Sequence, residues 1–67
     1  MWSLHIKIYE SETYPIMEHV FRGRTKKEAN GYYESHLKTD AFLRGCVKSG
    51  RWENVDCHAE ARWERIQ

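Results

Sequence analysis

The sequence of 67 residues lacks long hydrophobic runs and contains only one proline and two cysteines. No segment approaches the roughly 20 apolar residues that a membrane-spanning helix needs, and the first residues, which include Lys7, lack the apolar stretch of a signal peptide. The two cysteines, Cys46 and Cys57, allow at most one disulfide, whereas small secreted proteins usually carry several. We therefore expect a cytoplasmic protein whose cysteines are both reduced and packed in the core.

Charge is nearly balanced overall, at +1, but it is unevenly distributed along the chain. Residues 22–51 hold eight Lys or Arg against three acidic residues, whereas the segments before and after them each carry a net charge of −2. If the two flanking segments share one structural layer and the middle segment forms another, the molecule has a basic side and an acidic side.

The composition is that of a folded globule, with 40% hydrophobic and 13% aromatic residues. A chain of this length buries only about 60% of the surface that its unfolded form exposes, so two separate domains would each lack a core. We expect one small α+β domain over residues 1–67.

Two strands are predicted before any helix. Apolar and polar residues alternate through "WSLHIKIYE", which is typical of a strand with one covered face; the apolar positions are Trp2, Leu4, Ile6 and Ile8. The segment "IMEHVFRG" predicts a second strand with Met17, His19 and Phe21 facing inward. The opposite phase would place Glu18 and Arg22 in the core, so it is disfavoured.

A capping-box pattern, Thr25 followed by Glu28, predicts a helix from Lys26 to about Lys38. Helical spacing places one set of residues on a common arc facing the sheet: Ala29, Tyr32, Tyr33, His36 and Leu37. A short second helix follows, with Asp40 as its predicted N-cap.

The last segment, residues 55–66, is ambiguous between strand and helix. Val55, Cys57, Ala59, Ala61 and Trp63 alternate as in a strand, but Val55, Ala59, Trp63 and Ile66 also fit a helical stripe. The strand is favoured because small alanines on an inner sheet face leave room for aromatic rings opposite. We therefore predict a ββααβ fold: a three-stranded antiparallel sheet of order 2-1-3 with both helices on one face.

The run "YYESHLKTDAFLRGCV", together with "RWE" and "RWERI", resembles small uncharacterised proteins of bacteriophages, plasmids and other mobile elements. The resemblance extends over most of the chain and supports a strand at its end. It implies no catalytic chemistry, because the motifs of that group have no assigned activity.

The potential catalytic and metal-binding residues are weak candidates in the sequence. Cys57 and His58 are adjacent, so on a strand they point to opposite faces and cannot bind one ion together. His5, His58 and Glu60 form the best constellation, but no zinc-type spacing is present. His36 is interpreted as a core histidine with a hydrogen-bonded ring nitrogen. We therefore predict no enzyme activity, no catalytic residue, no metal site and no cofactor.

The segment "RGRTKKEA" is the stronger candidate for a binding site. Positive charges at a helix N-terminus oppose the helix dipole, whereas the free N–H groups there favour phosphate or carboxylate. Trp52, between Arg51 and Glu53, is predicted to be a partly exposed anchor for a partner. The candidate anion- or partner-binding residues are Arg22, Arg24, Lys26, Lys27 and Trp52. Whether the basic segment binds anything or is a solvated turn stays open at this point.

These patterns favour a non-enzymatic protein-binding module, an accessory or regulatory protein that masks a surface of a larger assembly. The alternative is a nucleic-acid-binding protein that uses the basic residues 22–51. Acidic residues expected on the open sheet face would repel phosphate, and the net charge is small, so protein binding ranks first. Two free sheet edges would also allow a homodimer or the addition of a partner strand.

Overall fold

The alternation along the first strand folds as predicted, into the centre of an antiparallel sheet. The computed structural model describes residues 1–10 and 13–66. Its elements, in chain order, are β1 (Trp2–Tyr9), β2 (Met17–Gly23), α1 (Lys26–Thr39), α2 (Ala41–Lys48), β3 (Arg51–Trp52), β4 (Val55–Asp56) and β5 (His58–Arg65). None of the helices in these ranges combines the length and hydrophobicity needed to span a bilayer.

The main sheet has the order β2-β1-β5, and both pairings are antiparallel. The predicted ββααβ architecture is confirmed, with β5 as the third strand of the predicted order 2-1-3. In the register, Leu4 lies between Phe21 and Trp63, and Ile6 lies between His19 and Ala61. The predicted inward phase of β2 is therefore confirmed.

The core lies between the inner face of the sheet and the two helices. Leu4, Ile6 and Ile8 of β1 are almost fully buried there because α1 packs across β2 and β1, while α2 packs nearer to β5. Of the residues that the structure describes, seven buried ones form this core: Leu4, Ile6, Ile8, Leu37, Leu43, Cys46 and Cys57.

Helix α1 begins where the capping box predicts. The side chain of Thr25 accepts the backbone N–H of Glu28 at 3.1 Å, and the Glu28 carboxylate accepts the backbone N–H of Arg24 at 3.3 Å. Gly23 is needed just before this turn, because a Cβ atom there would lie 2.6 Å from the backbone nitrogen of Ala29. The strand can therefore enter the helix within a single short turn.

Some residues predicted to face inward are exposed. Tyr32 has a relative exposure of 54%, and Trp63 reaches 36% although it lies on the inner face of the sheet. Ala61 is also exposed. The physical reason is that α1 covers β2 and β1, so the inner face of β5 is covered only near Ala59.

The prediction of two reduced cysteines is wrong in this structure, because Cys46 and Cys57 form a disulfide that joins α2 to the start of β5. Their Cα atoms lie 5.4 Å apart, a usual separation for a disulfide. A hairpin that the sequence did not indicate, β3–β4, brings Cys57 back to α2. Its turn residues Glu53 and Asn54 both have positive φ, as the type I′ turn of a two-residue hairpin requires.

Candidate functional site

The four cationic side chains of "RGRTKKEA" do not converge on one site. Arg22 lies opposite Ser3 on the open face of the sheet, whereas Lys26 lies on the side that carries the helices. Arg22, Arg24 and Lys27 are exposed, and none of them forms an ion pair within residues 1–10 and 13–66. The predicted anion-contact residues are thus available to solvent but divided between two faces.

Lys26 is held by two tryptophan rings. Its Nζ atom lies 4.5 Å from the ring centroid of Trp2 and 5.6 Å from that of Trp63, and the guanidinium of Arg65 lies 5.9 Å from Trp2. Contacts of this kind are cation–π interactions. We call Trp2, Lys26, Trp63 and Arg65 the basic–aromatic cluster. Only Lys26 was a predicted site residue; the β1–β5 register, which sets Trp2 beside Arg65, identifies the others.

Trp52, the predicted partner anchor, is a packing residue in large part. It is half-buried in β3, packs against the core, and meets the ring of Phe42 edge-on at 5.8 Å. It lies in the hairpin β3–β4, whereas Arg22, Arg24, Lys26 and Lys27 lie around the start of α1. The structure therefore does not join Trp52 to the basic segment.

Among residues 1–10 and 13–66, the strand that pairs with β5 is β1, along one side. The N–H of Ile66 donates to the carbonyl of Met1 at 2.8 Å, in line with the β1–β5 register. Because backbone groups alternate along an antiparallel strand, the even-numbered residues of β5 bond to β1. The N–H and C=O groups of Ala59, Ala61 and Trp63 therefore point to the outer edge of the sheet.

Near the beginning of β5 this outer edge is already occupied. The N–H of Cys57 donates to the carbonyl of Gly50 at 3.0 Å, so the hairpin closes the edge there. The open part of the edge therefore begins after His58 and runs to the end of the strand.

The centre of the open sheet face holds a serine, a histidine and a glutamate in contact. Ser3 Oγ and His5 Nε2 are hydrogen-bonded at 3.0 Å, and His5 Nδ1 lies 3.7 Å from a carboxylate oxygen of Glu18. This order of groups is that of an acyl-transfer triad. Here, however, the side chain of Ser3 is fully buried, and a buried hydroxyl cannot reach a substrate.

The constellation of His5, His58 and Glu60 is not assembled. His5 pairs with Arg62, whereas His58 pairs with Tyr9, four residues further along β1, and stacks on its ring at 4.9 Å. The exposed His58 has Glu60 at 3.9 Å, which is a surface contact.

A second histidine group lies where β2 meets the junction of the two helices. His36 Nε2 donates to Asp40 Oδ2 at 3.1 Å, and the rings of His19 and His36 lie 5.0 Å apart. The predicted hydrogen bond to a ring nitrogen of His36 is therefore present, although the ring is half-buried rather than in the core. The sequence places His19 and His36 inward separately, but only the packing of α1 on β2 shows that they meet.

Asp40 is an ionised group in this arrangement. Its pKa is lowered chiefly by the backbone N–H of Leu43, which its Oδ1 atom accepts at 3.0 Å, and this effect outweighs the opposing effect of burial. The hydrogen bond from His36 and the nearby charges of His36 and His19 lower the pKa further. Asp40 therefore caps α2 and at the same time faces both histidines.

Comparisons of this chain with protein-family models, with curated proteins and with solved structures found no match.

Proposed function

We propose that this protein is a non-enzymatic protein-binding module and that its binding element is the outer edge of β5. The observation that carries the proposal is that, in the part of the chain that the structure describes, β5 is paired on one side only and leaves Ala61 and Trp63 exposed on its inner face. Unpaired backbone groups on such an edge accept a further strand, and the exposed side chains beside them give the added strand its specificity.

The charges along β5 favour a second copy of the chain as the strand that binds there. On the open sheet face, His58, Glu60, Arg62 and Glu64 alternate in sign when the histidine is protonated. In an antiparallel pair centred on Ala61, Glu60 of each copy lies opposite Arg62 of the other. Both symmetric contacts then join opposite charges.

The two antiparallel registers adjacent to this one are less favourable. Moving the pairing by two residues places Arg62 opposite Arg62, or Glu60 opposite Glu60, and like charges directly opposite each other destabilise a sheet. The register centred on Ala61 also pairs residues 59–63, which lie beyond the part of the edge that Gly50 occupies.

The inner face of β5 is complementary in size in the same register. Ala59 of each copy lies opposite Trp63 of the other, so a large ring is set beside a small side chain. Ala59 is half-buried against the core, and Trp63 is exposed in the single chain. Pairing would therefore remove apolar surface of Trp63 from water, which favours association.

An accessory role follows from the resemblance to phage and mobile-element proteins. The proposed dimer keeps the open sheet faces and the basic sides around α1 free, and these can cover a surface of a larger assembly. The resemblance supports this role, and the open edge of β5 supports the binding mode.

A charge exchange at β5 tests the proposal. Glu60→Arg and Arg62→Glu should each weaken self-association in sedimentation equilibrium, because each variant sets like charges opposite each other. An equimolar mixture of the two should associate again, since both contacts in the mixed dimer then join Arg to Glu. Glu34→Arg makes the same change of charge as Glu60→Arg, but at an exposed position on α1. It serves as the matched control and should associate like the wild type.

Two outcomes would reject the second copy as the occupant of β5. One is a wild-type protein that stays monomeric at millimolar concentration, and the other is association that neither variant weakens. Far-ultraviolet circular dichroism of each variant should match that of the wild type, which separates lost association from lost folding.

Nucleic-acid binding is the second candidate function, and the basic–aromatic cluster is the observation that favours it. Lys26 contacts the rings of Trp2 and exposed Trp63, and Arg65 lies over the ring of Trp2. Arg24 and Lys27, around the start of α1, are exposed as well. Cations next to aromatic rings are the usual contacts of single-stranded nucleic acids. Fluorescence anisotropy with a labelled single-stranded oligonucleotide should show that log affinity decreases linearly with log salt concentration. Lys27→Gln should reduce the magnitude of this slope by about 0.7. No binding at low salt would remove this candidate.

The cytoplasmic location stays a prediction. The disulfide is more typical of oxidising compartments, although cytosolic proteins carry some that are transient. Alkylation of free thiols in intact host cells, followed by mass spectrometry, should show Cys46 and Cys57 labelled if the protein is reduced in the cytoplasm.

A further inference from the structure

Three side chains from different elements bring metal-binding atoms together beside the core. His19 comes from β2, His36 from the last turns of α1, and Asp40 from the junction between α1 and α2. Each offers one donor atom, and these three atoms all lie within 4.8 Å of one another.

The distances are close to those of a tetrahedral metal site. Zinc binds imidazole nitrogen and carboxylate oxygen at 2.0–2.2 Å, so two ligands of one zinc ion lie about 3.3 Å apart. His36 Nε2 and Asp40 Oδ2 are already 3.1 Å apart. The donor atom of His19 lies at most 4.8 Å from the other two donor atoms. A side-chain movement of about 1.5 Å or less would bring these distances to the separation that zinc requires.

The backbone fixes the orientation of the carboxylate. Asp40 Oδ1 accepts the N–H of Leu43, so Oδ2 is the oxygen turned toward His36. Hydrogen bonds of this kind, made by the atoms of a ligand that do not bind the ion, orient metal-binding side chains in proteins. The side chains of His36 and Asp40 are 37% and 25% exposed, so an ion can reach them from solvent.

We propose that His19, His36 and Asp40 bind a divalent transition-metal ion of the Zn²⁺ type. Imidazole nitrogens with one carboxylate suit zinc, whereas Mg²⁺ and Ca²⁺ prefer oxygen ligands alone. The ion takes the place of the proton on His36 Nε2, and the neutral imidazole that binds it carries its one proton on Nδ1. The fourth position is open to water or to a group of a partner. This site is independent of the β5 edge, which lies on the other side of β1 from β2.

Isothermal titration of the wild-type protein with ZnCl₂ tests the site. We expect one Zn²⁺ per chain and no binding of Mg²⁺. His36→Gln should weaken zinc binding by about tenfold or more, the scale seen when even the supporting groups of a metal site are removed. His58→Gln makes the same substitution at an exposed histidine outside the group and should bind zinc like the wild type.

Asp40→Asn separates metal binding from folding. Asparagine is as good an N-cap as aspartate, so α2 keeps its cap while the site loses its charged ligand. Zinc should bind about tenfold more weakly to this variant also. As a measurement on the unaltered protein, the imidazole resonances of His19 and His36 should shift on adding zinc, while those of His58 stay in place.

Equal zinc affinity of the wild type, His36→Gln and Asp40→Asn would overturn the proposal. So would zinc-induced shifts confined to His5 or His58, because they would place the ion on the open sheet face.

Discussion

Two neighbouring tyrosines of α1 differ in what they contribute to stability. Tyr33 is half-buried and meets the ring of Phe21 at 5.4 Å, whereas Tyr32 is 54% exposed. Replacing a fully buried aromatic residue with alanine costs about 3–5 kcal/mol, so the half-buried Tyr33→Ala should cost about 2 kcal/mol. Tyr32→Ala should cost well under half of that. Urea unfolding of both variants checks this, and equal losses would contradict the packing described for Tyr33.

The same tyrosine predicts a dependence of stability on alkaline pH. Burial, with a smaller contribution from Glu34, raises the pKa of Tyr33 above 10. Because the folded-state pKa is raised, the protonated phenol of Tyr33 contributes to the free energy of unfolding. This contribution is complete below the unfolded-state pKa of about 10 and is lost as the pH rises through the folded-state pKa. Tyr33→Phe should therefore lose less stability than the wild type over this range. Urea unfolding of both proteins from pH 9 upward checks this. Equal losses of unfolding free energy in the two would show that the phenol group does not contribute to the pH dependence.

At the scale of elements, the two lysines that begin α1 should respond differently to the same change. Both oppose the helix dipole, so neutralising either should relieve an unfavourable interaction. Only Lys26 also contacts Trp2 and Trp63. Lys26→Gln should therefore be less stable than Lys27→Gln by about 0.5–1 kcal/mol, the value of an exposed cation–π contact. Indistinguishable unfolding midpoints would show that the ring contacts contribute nothing.

The disulfide between α2 and the start of β5 should contribute a large share of the stability. It closes a loop with a sequence separation of 11 residues, and bonds of this kind typically stabilise a small domain by about 2–4 kcal/mol. Reductant should lower the free energy of unfolding by this amount. A variant with both Cys46 and Cys57 changed to Ala should be insensitive to reductant. Two free thiols titrated in the native protein would contradict the bond.

Features that depend on nearby residues were predictable, and those that depend on tertiary placement were not. The cap at Thr25, the strand at β1 and the N-cap at Asp40 each follow from a few neighbouring side chains. The disulfide needed the β3–β4 hairpin, which rests on a two-residue turn without glycine at either position. The His19–His36 contact and the exposure of Trp63 needed the position of α1 on the sheet, which periodicity does not define.

At the scale of the whole molecule, the decisive feature is the unequal cover of a three-stranded sheet. The molecule is thin, with principal extents of 38, 26 and 13 Å, and α1 lies over β2 and β1. Two helices of this length do not cover the inner face of β5 beyond Ala59. The exposed edge, the exposed Trp63 and the alternating charges of β5 therefore occur on one strand.

Amide hydrogen exchange followed by NMR at low and high protein concentration tests the role of β5 most directly. The N–H groups of Ala59, Ala61 and Trp63 point to the outer edge of β5, and those of Glu18, Val20 and Arg22 point to the outer edge of β2. Binding through β5 predicts that the first three become protected as concentration rises, while the β2 set keeps exchanging rapidly. Two results would contradict binding through β5. One is protection that appears on β2 instead, and the other is rapid exchange along β5 in a sample that sedimentation shows to be associated.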